Sequence, residues 1–408
     1  MPQVIKNKFV RTEDEEAKRD FYRHLGDDNV WFPEFLYSLK RDWINQGYPV
    51  SDILIREGKP IFVAPVKTYV PFSSPTHKKN FVPTESSINN VIQKFIKIDK
   101  ISEGDIYEFS FIVYGLGIFR VSYSKDENGV GMSMRYLSFN LPEMDDMQYP
   151  DFYKDFIEGV IGKSIVKTPD AILEVNGVRA GGLILHVGAT GSGKSTSIAA
   201  EVGFLAENIT GGIVTYESPI EYRYTATRAP VRQYEIGVDI KESEEHTLFE
   251  NIKRHLLRNN PSVVVYGEAR TNEEIREVID AAARGHLVFA TIHASTVMEA
   301  LTTLMSITEN DPALLENTLH AIIAHKLLTN KKGEFVPLYE ILTPNQVIKT
   351  KIGERDLKSI ATVFINENDS LDGSITFARA LNLAAKEGKF TMAEVEQIKK
   401  SSYGAFKK

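Results

Sequence analysis

A glycine-rich turn between an apolar run and a long helical run constrains this chain more than any other feature. The run "LILHV", residues 183–187, predicts a buried strand, and "KSTSIAAEVGFLAEN", residues 194–208, predicts a helix. The turn that joins them, "GATGSGKS", matches the pattern G-x-x-x-x-G-K-[S/T] in full and has the strand and helix that this motif requires. Backbone N–H groups of such a loop wrap phosphates, and the helix N-terminus adds partial positive charge. The sequence therefore predicts a nucleotide-binding loop.

The motif also predicts a role for each side chain of the loop. Lys194 can reach the β- and γ-phosphates of a nucleotide, and the hydroxyl of Ser195 can bind Mg²⁺. The other residues expected to contact the nucleotide belong to the loop and the first helical turn: Gly188, Ala189, Thr190, Gly191, Ser192, Gly193 and Thr196.

Three further apolar runs alternate with helical patterns and predict a mainly parallel, helix-covered sheet. These runs are "GGIVTYE" (211–217), "PSVVVYGE" (261–268) and "HLVFATIH" (286–293). They end in Glu217, Glu268 and His293. Ligands of open parallel sheets bind beyond the carboxyl ends of the strands, so we expect these polar side chains to lie beside the glycine-rich loop. Two carboxylates there indicate Mg²⁺ and an activated water.

Composition excludes several other classes of protein. The 408 residues contain no cysteine, which excludes disulfides, Cys-liganded zinc and a Cys nucleophile. The net charge of −7 argues against a protein whose main task is to grip nucleic acid or an anionic membrane. The sequence begins without an apolar leader and has no apolar run long enough to span a bilayer, so we expect a cytoplasmic protein.

Changes in pattern along the chain predict four segments. Residues 1–30 are charged and predict a mobile or weakly helical arm, and residues 31–140 predict a small α+β domain that begins with a helix over Trp31 to Trp43. The acidic, proline-containing stretch 141–150 predicts a linker. Residues 151–408 form the predicted α/β domain, in which the tail from about Leu314 has helical patterns around a turn at "NKKGE".

Four motifs in order and spacing resemble those of one known family. "TYESPIEY" (215–222) resembles the Asp box of the secretion ATPases that drive pilus retraction and type II and type IV secretion. "VVVYGEAR" (263–270) resembles their Walker B motif, and "GHLVFATIHAST" (285–296) resembles their His box. Together with the glycine-rich loop, these motifs imply a RecA-like P-loop ATPase domain preceded by a smaller PAS-like α+β domain, with ATP and Mg²⁺ as ligands.

The resemblance also implies roles for individual residues. Glu217 would be the general base, Glu268 would hold Mg²⁺ directly or through water, and His293 would sense the γ-phosphate. Arg120 and Arg135 match arginines that reach the nucleotide from the N-terminal domain. Three further residues of these motifs are expected at the nucleotide: Glu221, Arg270 and His286. His186, inside a predicted strand, is expected to be a packed core histidine.

Two departures from the family pattern indicate a branch. Ser218 replaces an aspartate of the Asp box, as in the DotB/TraJ-like ATPases of type IVB secretion and conjugation. The absence of cysteine weighs against the branches that carry a four-cysteine zinc site. The resemblance then implies a homo-hexamer that powers export from the cytoplasmic side of the inner membrane, where components of the apparatus hold it, without direct binding of nucleic acid. A pilus retraction ATPase is the close alternative, because it shares every catalytic motif.

Other interpretations of the loop are a P-loop phosphoryl transferase, a DNA-translocating helicase and a ring that does not hydrolyse nucleotide. No lid-like arginine cluster supports the first, and no basic, aromatic-laced strip supports the second. The two carboxylates at Glu217 and Glu268 argue against the third. The stretch Gly162 to Ala180 is longer than in the family and predicts an extra hairpin or a contact surface.

Overall fold

The computed structural model describes residues 5–10, 21–46, 48, 50–64, 68–75, 81–96, 104–113, 116–137, 141–168, 171–224, 228–242, 247–366 and 373–405. The chain divides into two compact units, Met1–Asn140 and Leu141–Lys408. Among the residues described, no helix is both long and apolar enough to cross a membrane.

The N-terminal unit is a sheet covered by helices. It contains the helices α1 (Trp31–Asp42) and α2 (Glu85–Phe95). Its strands are β1 (Ile5–Val10), β2 (Asp52–Arg56), β3 (Phe62–Ala64), β4 (Val70–Pro71), β5 (Ile106–Val113), β6 (Gly117–Asp126) and β7 (Gly129–Leu137). They pair in the order β1-β5-β6-β7-β2-β3-β4, with β1 and β5 parallel and the other pairs antiparallel.

Aromatic side chains dominate the core of this unit and confirm the helix predicted at Trp31. Phe32 and Phe35 of α1 are fully buried, because their spacing places both on the face that packs against the sheet. Part of the arm that was predicted as mobile or weakly helical is structured, and residues 21–25 are helical, as the second of these alternatives states. Residues 5–10 form β1, and Phe21 and Leu25 are fully buried in the same core. Burial of these apolar side chains stabilises this part of the N-terminal segment, which its charged composition alone does not predict. Residues 1–4 and 11–20 of the arm lie outside the described residues.

The C-terminal unit is built on one large sheet and a separate hairpin. The hairpin is β8 (Ile161–Lys167) and β9 (Ile172–Val178), the first of the two alternatives that the sequence left open for 162–180. The large sheet has the order β12-β11-β13-β14-β10-β15-β16-β17. Its strands are β10 (Gly182–Gly188), β11 (Ile213–Glu217), β12 (Val231–Glu235), β13 (Val263–Tyr266), β14 (Leu287–Ile292), β15 (Leu319–Thr329), β16 (Phe335–Leu342) and β17 (Ser374–Ile375).

Helices cover both faces of this sheet. Its first six strands in sheet order, β12-β11-β13-β14-β10-β15, are parallel. The helices are α3 (Asp151–Gly159), α4 (Lys194–Asn208), α5 (Leu248–Asn259), α6 (Asn272–Ala283), α7 (Val297–Ile307), α8 (Pro312–Thr318), α9 (Gln346–Gly353), α10 (Leu357–Asn366), α11 (Phe377–Lys386) and α12 (Met392–Ala405). All residues of β10, β13 and β14 are buried, as expected for central strands of a covered sheet.

The prediction of helical structure after Leu314 is wrong for the central part of that tail. The run "LHAIIAHKLLT" forms β15, an eleven-residue strand that pairs in parallel with β10. A continuous apolar run fits a buried strand as well as a buried helix, so its period cannot decide between them. The turn predicted at "NKKGE" is present and connects β15 to the antiparallel β16.

The predicted linker 141–150 belongs to the C-terminal unit. Tyr149 is buried there, and Met144 and Met147 pack beside it on the core between the sheet and α4. Most exposed residues of this stretch are acidic, and its packed residues are apolar. Composition alone does not show that some of its residues belong to a core.

Close approach of two backbones makes Gly181 a sensitive position. A Cβ at Gly181 would lie 2.3 Å from the carbonyl carbon of Gly285, and a backbone atom cannot move aside as a side-chain tip can. We expect Gly181→Ala to lower the free energy of unfolding by about 1–3 kcal/mol, as overpacking usually does. Urea denaturation measures this. Gly212→Ala is the control, because no atom lies within 4 Å of its added Cβ. Equal denaturation midpoints for the two variants would contradict the prediction.

Candidate active site

The glycine-rich loop leaves the carboxyl end of β10 and turns directly into α4. Gly193, the N-cap of α4, has a φ of 99°, which L side chains rarely adopt. A Cβ at Gly188 would lie 2.7 Å from both the carbonyl oxygen of His325 and the hydroxyl of Ser192. Both positions therefore require glycine, one for its conformation and the other for space.

Lys194 is held at the mouth of this loop. Its Nζ donates hydrogen bonds to the carbonyl oxygens of Gly188 at 2.7 Å and Ala189 at 3.1 Å. Burial lowers the pKa of Lys194, and the nearby carboxylates of Glu268 and Glu221 oppose that shift. The ammonium group of Lys194 is therefore close enough to interact electrostatically with Glu268 and Glu221, two carboxylates that the sequence predicts beside the loop. The hydroxyl of Ser192 is buried in the loop without a hydrogen-bond partner among the described residues.

Two neighbouring side chains fix the carboxylate of Glu217 at the end of β11. Thr215 Oγ1 donates a hydrogen bond to Glu217 Oε1 at 2.6 Å, and Gln233 Nε2 donates to the same oxygen at 3.3 Å. Burial raises the pKa of Glu217, and these hydrogen bonds act in the opposite direction. A half-buried carboxylate with a raised pKa and a fixed orientation is suited to accept a proton.

The segment after β11 is tied to the helix that follows the loop. Tyr222 Oη and Thr196 Oγ1 form a hydrogen bond of 3.1 Å. Gln233 Nε2 donates to the carbonyl oxygen of Tyr222 at 2.7 Å, so one glutamine contacts both this segment and Glu217. The peptide bond between Ser218 and Pro219 is cis. Glu221 lies in this segment, where its charge acts on Glu217 and on Lys194.

Glu268, His293 and Arg270 form one charged cluster beyond the ends of β13 and β14. His293 Nε2 lies 2.7 Å from Glu268 Oε1, and Arg270 contacts Glu268 Oε2 through Nε at 2.7 Å and Nη2 at 2.6 Å. Both basic side chains are more exposed than the carboxylate between them. The structure therefore brings together three residues that the sequence predicted for the nucleotide.

His286 lies at the end of the strands opposite the glycine-rich loop, so the expectation that it contacts the nucleotide beside this loop is wrong for its own chain. It precedes β14, with Nδ1 2.6 Å from the carbonyl oxygen of Pro261, and its own carbonyl accepts from the N–H of Gly182. Gly182 begins β10 and the loop follows its end at Gly188, roughly 20 Å away at about 3.3 Å per residue. His286 and His293 flank one strand, so they cannot share a strand edge, and His286 does not reach the loop of its own chain.

Arg120 and Arg135 belong to the N-terminal unit. They lie directly opposite each other on the antiparallel strands β6 and β7. Arg135 Nε donates to Asp52 Oδ1 at 3.0 Å. Their action on a nucleotide stays a prediction.

The donors present fit a magnesium ion that arrives with a nucleotide. Among the described residues, no group of three or more histidines or carboxylates could hold a metal ion by itself. Mg²⁺ commonly takes one or two protein oxygens and completes its shell with phosphates and water. The exposed Ser195 in the first turn of α4 and the carboxylate of Glu268 would supply such oxygens.

Sequence reasoning missed the residues that orient the predicted site. Thr215 could have been found, because residues two apart on a strand share a face and Thr215 precedes Glu217 by two. Gln233 could not, because its position beside Glu217 depends on the pairing of β12 with β11. His186 is a buried histidine as predicted, and its partners are Glu201 on α4 and His325, which is 139 residues further along the chain.

Comparison with known proteins gives consistent matches. The family described as "Type II/IV secretion system protein" matches residues 166–368. The uncharacterized protein YggR of Escherichia coli (strain K12) is 31% identical over 275 residues, which cover 66% of this chain and 76% of YggR. The crystal structure of the pilus retraction motor PilT with bound ADP is 27% identical, with a TM-score of 0.67, and the match covers 86% of this chain and 93% of PilT.

A further solved structure supports the fold alone. The Legionella pneumophila ATPase DotB is 21% identical, with a TM-score of 0.69, over 98% of this chain and 99% of DotB. These likenesses confirm the predicted fold class, an α/β chain with a RecA-like domain after a smaller α+β domain.

Proposed function

Because this chain belongs to the type II/IV secretion system protein family, we propose that it is an ATP hydrolase that powers substrate export through a type IV secretion apparatus of the type IVB or conjugation kind. The observation that carries this proposal is the edge of the sheet beside the glycine-rich loop. Lys194, Glu217 and the cluster around Glu268 are gathered there by strands that are far apart in sequence.

The chemistry follows from these positions. A water oxygen attacks the γ-phosphorus of ATP while Glu217 accepts a proton from that water. The bond between the γ-phosphorus and the β,γ-bridging oxygen breaks, and ADP leaves with the bond's electrons. In this proposal Lys194 stabilises charge on the phosphates, and His293, which pairs with Glu268, contacts the γ-phosphate. Ser195 and Glu268 would hold Mg²⁺, which would neutralise phosphate charge when bound.

We propose that ATP hydrolysis by this chain drives a movement of its domains. PilT is described as a motor, and a two-domain ATPase of this fold can couple nucleotide binding to movement of one domain against the other. We propose a homo-hexamer in the cytoplasm, held at the inner membrane by components of the secretion apparatus. The boundary between the two units, at residues 140 and 141, is where we place the hinge.

Arg120 and Arg135 are proposed to stabilise charge that develops on the transferred phosphoryl group. We expect Arg120→Ala and Arg135→Ala to bind ATP normally but to hydrolyse it roughly 10²-fold more slowly, the usual effect of losing such a donor. Arg56→Ala is a control, because Arg56 lies in the same sheet and pairs with Asp126. Turnover by purified protein and ATP affinity should be measured separately. Full activity of both variants would remove these arginines from the site.

Pilus retraction is the second candidate function, because PilT matches this chain over most of both lengths. Ser218 favours secretion, because it resembles the Asp box of the type IVB and conjugation branch, whereas the absence of cysteine weighs only against the branches with a four-cysteine zinc site. A deletion strain separates the two functions. We expect it to lose delivery of protein or protein–DNA cargo. Normal delivery together with hyperpiliated cells that do not retract their pili would show that retraction is the function.

A further inference from the structure

A sealed polar cluster lies between the sheet and the helices behind the glycine-rich loop. It consists of Tyr149, Tyr153, His186, Glu201 and His325, none of which is more than 4% exposed. We call it the buried cluster. None of these residues takes part in the chemistry proposed above. Ionisable side chains without access to water are costly to bury unless they are fully paired, so this cluster requires a reason.

Glu201 is the centre of the cluster and accepts from three side chains. Tyr149 Oη donates to Glu201 Oε1 at 2.5 Å, and Tyr153 Oη donates to the same oxygen at 3.2 Å. His186 Nε2 lies 3.1 Å from Glu201 Oε2. Burial raises the pKa of both tyrosines, which therefore stay protonated and remain donors. The carboxylate of Glu201 is thus satisfied only while all three partners stay in place.

His325 extends the cluster to the loop. His325 Nε2 lies 2.9 Å from His186 Nδ1, and burial, assisted by electrostatic interactions with His186 and Lys194, lowers the pKa of His325 well below its ordinary value. A neutral His325 can donate from Nε2 to His186, which then donates from its own Nε2 to Glu201. His325 pairs with Gly188 in the sheet, at the residue where the loop begins. The ring nitrogens face one another and do not converge on a point, and the described residues contain no metal-binding group.

The cluster joins the two elements that carry the loop. His186 is on β10, which enters the loop, and Glu201 is on α4, which leaves it. Lys194 and Glu201 are seven residues apart on α4, so they lie on one face two turns apart. A change in the angle between strand and helix would therefore pull on the contact between His186 and Glu201.

The other end of the cluster lies just after the boundary between the units. Tyr149 and Tyr153 belong to the stretch that begins at residue 141, the first of the C-terminal unit. The same stretch has two further ties to the sheet and to α4. Tyr339 Oη donates to the carbonyl oxygen of Met147 at 2.6 Å, and Ser197 Oγ contacts the sulfur of Met147 at 3.7 Å.

We infer that the buried cluster is a positioning network that couples nucleotide at the glycine-rich loop to the segment 141–159, with Glu201 as its central residue. This inference rests on the proposed function, because it requires that nucleotide binds the loop. In this inference, the cluster transmits the structural change caused by nucleotide binding from the loop to the boundary where the hinge is proposed. A hydrogen-bonded core with few alternative arrangements transmits such a change as a shift between discrete states.

Amide hydrogen exchange of the full chain, with and without Mg²⁺·ADP, tests this coupling. In the wild type, ADP is expected to change the exchange of amides in 141–159 as well as in the loop. The double variant Tyr149→Phe, Tyr153→Phe keeps both rings but removes both donors to Glu201. It should bind ADP within about threefold of the wild-type affinity, because neither hydroxyl touches the loop. It should lose the ADP-induced change in 141–159.

Tyr339→Phe is the matched control, since it removes a hydroxyl that contacts the same segment but not Glu201. It should keep the ADP-induced change. An unchanged 141–159 in ADP-bound wild type, or a full response in the double variant, would overturn the inference. If the double variant does not fold, Tyr153→Phe alone should weaken the response, and a full response would count against the coupling. Failure of the wild type to bind ADP would overturn the proposed function instead, and the binding titration detects this separately.

Discussion

Replacement of Lys194 by alanine is expected to reduce ATP hydrolysis by at least about 10²-fold, the usual loss when a donor to developing charge is removed. The Nζ atom is held by the carbonyl oxygens of Gly188 and Ala189, so it is already at the loop when phosphates arrive. Removing it leaves the β- and γ-phosphates without the point charge that the motif supplies. We expect ATP affinity to fall together with turnover.

The fold should survive this change. Among the described residues, the lysine donates hydrogen bonds to two carbonyl groups of the loop, and the helix that it begins buries apolar side chains of its own. Circular dichroism and the unfolding midpoint check this. Lys351→Ala is the control, since Lys351 pairs with Glu354 at the C-terminal end of α9. A folded Lys194→Ala protein with unchanged phosphate release would refute the assignment of the loop.

Replacement of Glu217 by glutamine is expected to separate binding from chemistry. An amide cannot accept the proton of the attacking water, so turnover should fall by about 10²–10⁴-fold, the range for loss of a general base. Affinity for Mg²⁺·ATP should be close to wild type. The substitution keeps an oxygen that can accept from Thr215 and Gln233, so the local geometry is preserved. Single-turnover hydrolysis and nucleotide binding measure the two effects.

The same residue predicts a pH dependence. Burial raises the pKa of Glu217 above its ordinary value, and a base must be deprotonated to act. Turnover of the wild type should therefore fall as pH decreases through this raised pKa and recover above it. The residual turnover of Glu217→Gln should not show this decrease at low pH. Glu221→Gln is the comparison variant. Loss of turnover in Glu221→Gln but not in Glu217→Gln would make Glu221 the base.

The predictable part of the molecule is the part that depends on local sequence. The strands at 183–187, 211–217, 261–268 and 286–293 could be identified because each is a short apolar run between turn residues. Because parallel strands share one carboxyl edge, the approach of Glu268 to His293 followed from their positions in the chain. His286 was misplaced because motif membership does not state at which end of the strand a residue lies.

The remaining features depend on contacts that a single sequence does not encode locally. β15 pairs with the loop strand, yet its run of apolar residues has no period that separates strand from helix. The buried cluster joins residues as far apart as Tyr149 and His325 through a sheet order that the sequence left open. Phe21 and Leu25 were assigned to an arm because their neighbours are charged, although both are buried.

The measurement that most directly tests the central claim is a titration of the purified full chain with ATP in the presence of Mg²⁺, followed by assay of phosphate release. We expect saturable binding at one site per chain, and phosphate release that requires Mg²⁺. Binding should be lost in Lys194→Ala and kept in Glu217→Gln, and release should be lost in both. A folded wild-type chain that binds neither ATP nor ADP would contradict the claim that this loop and these strand ends form an ATP-hydrolysing site.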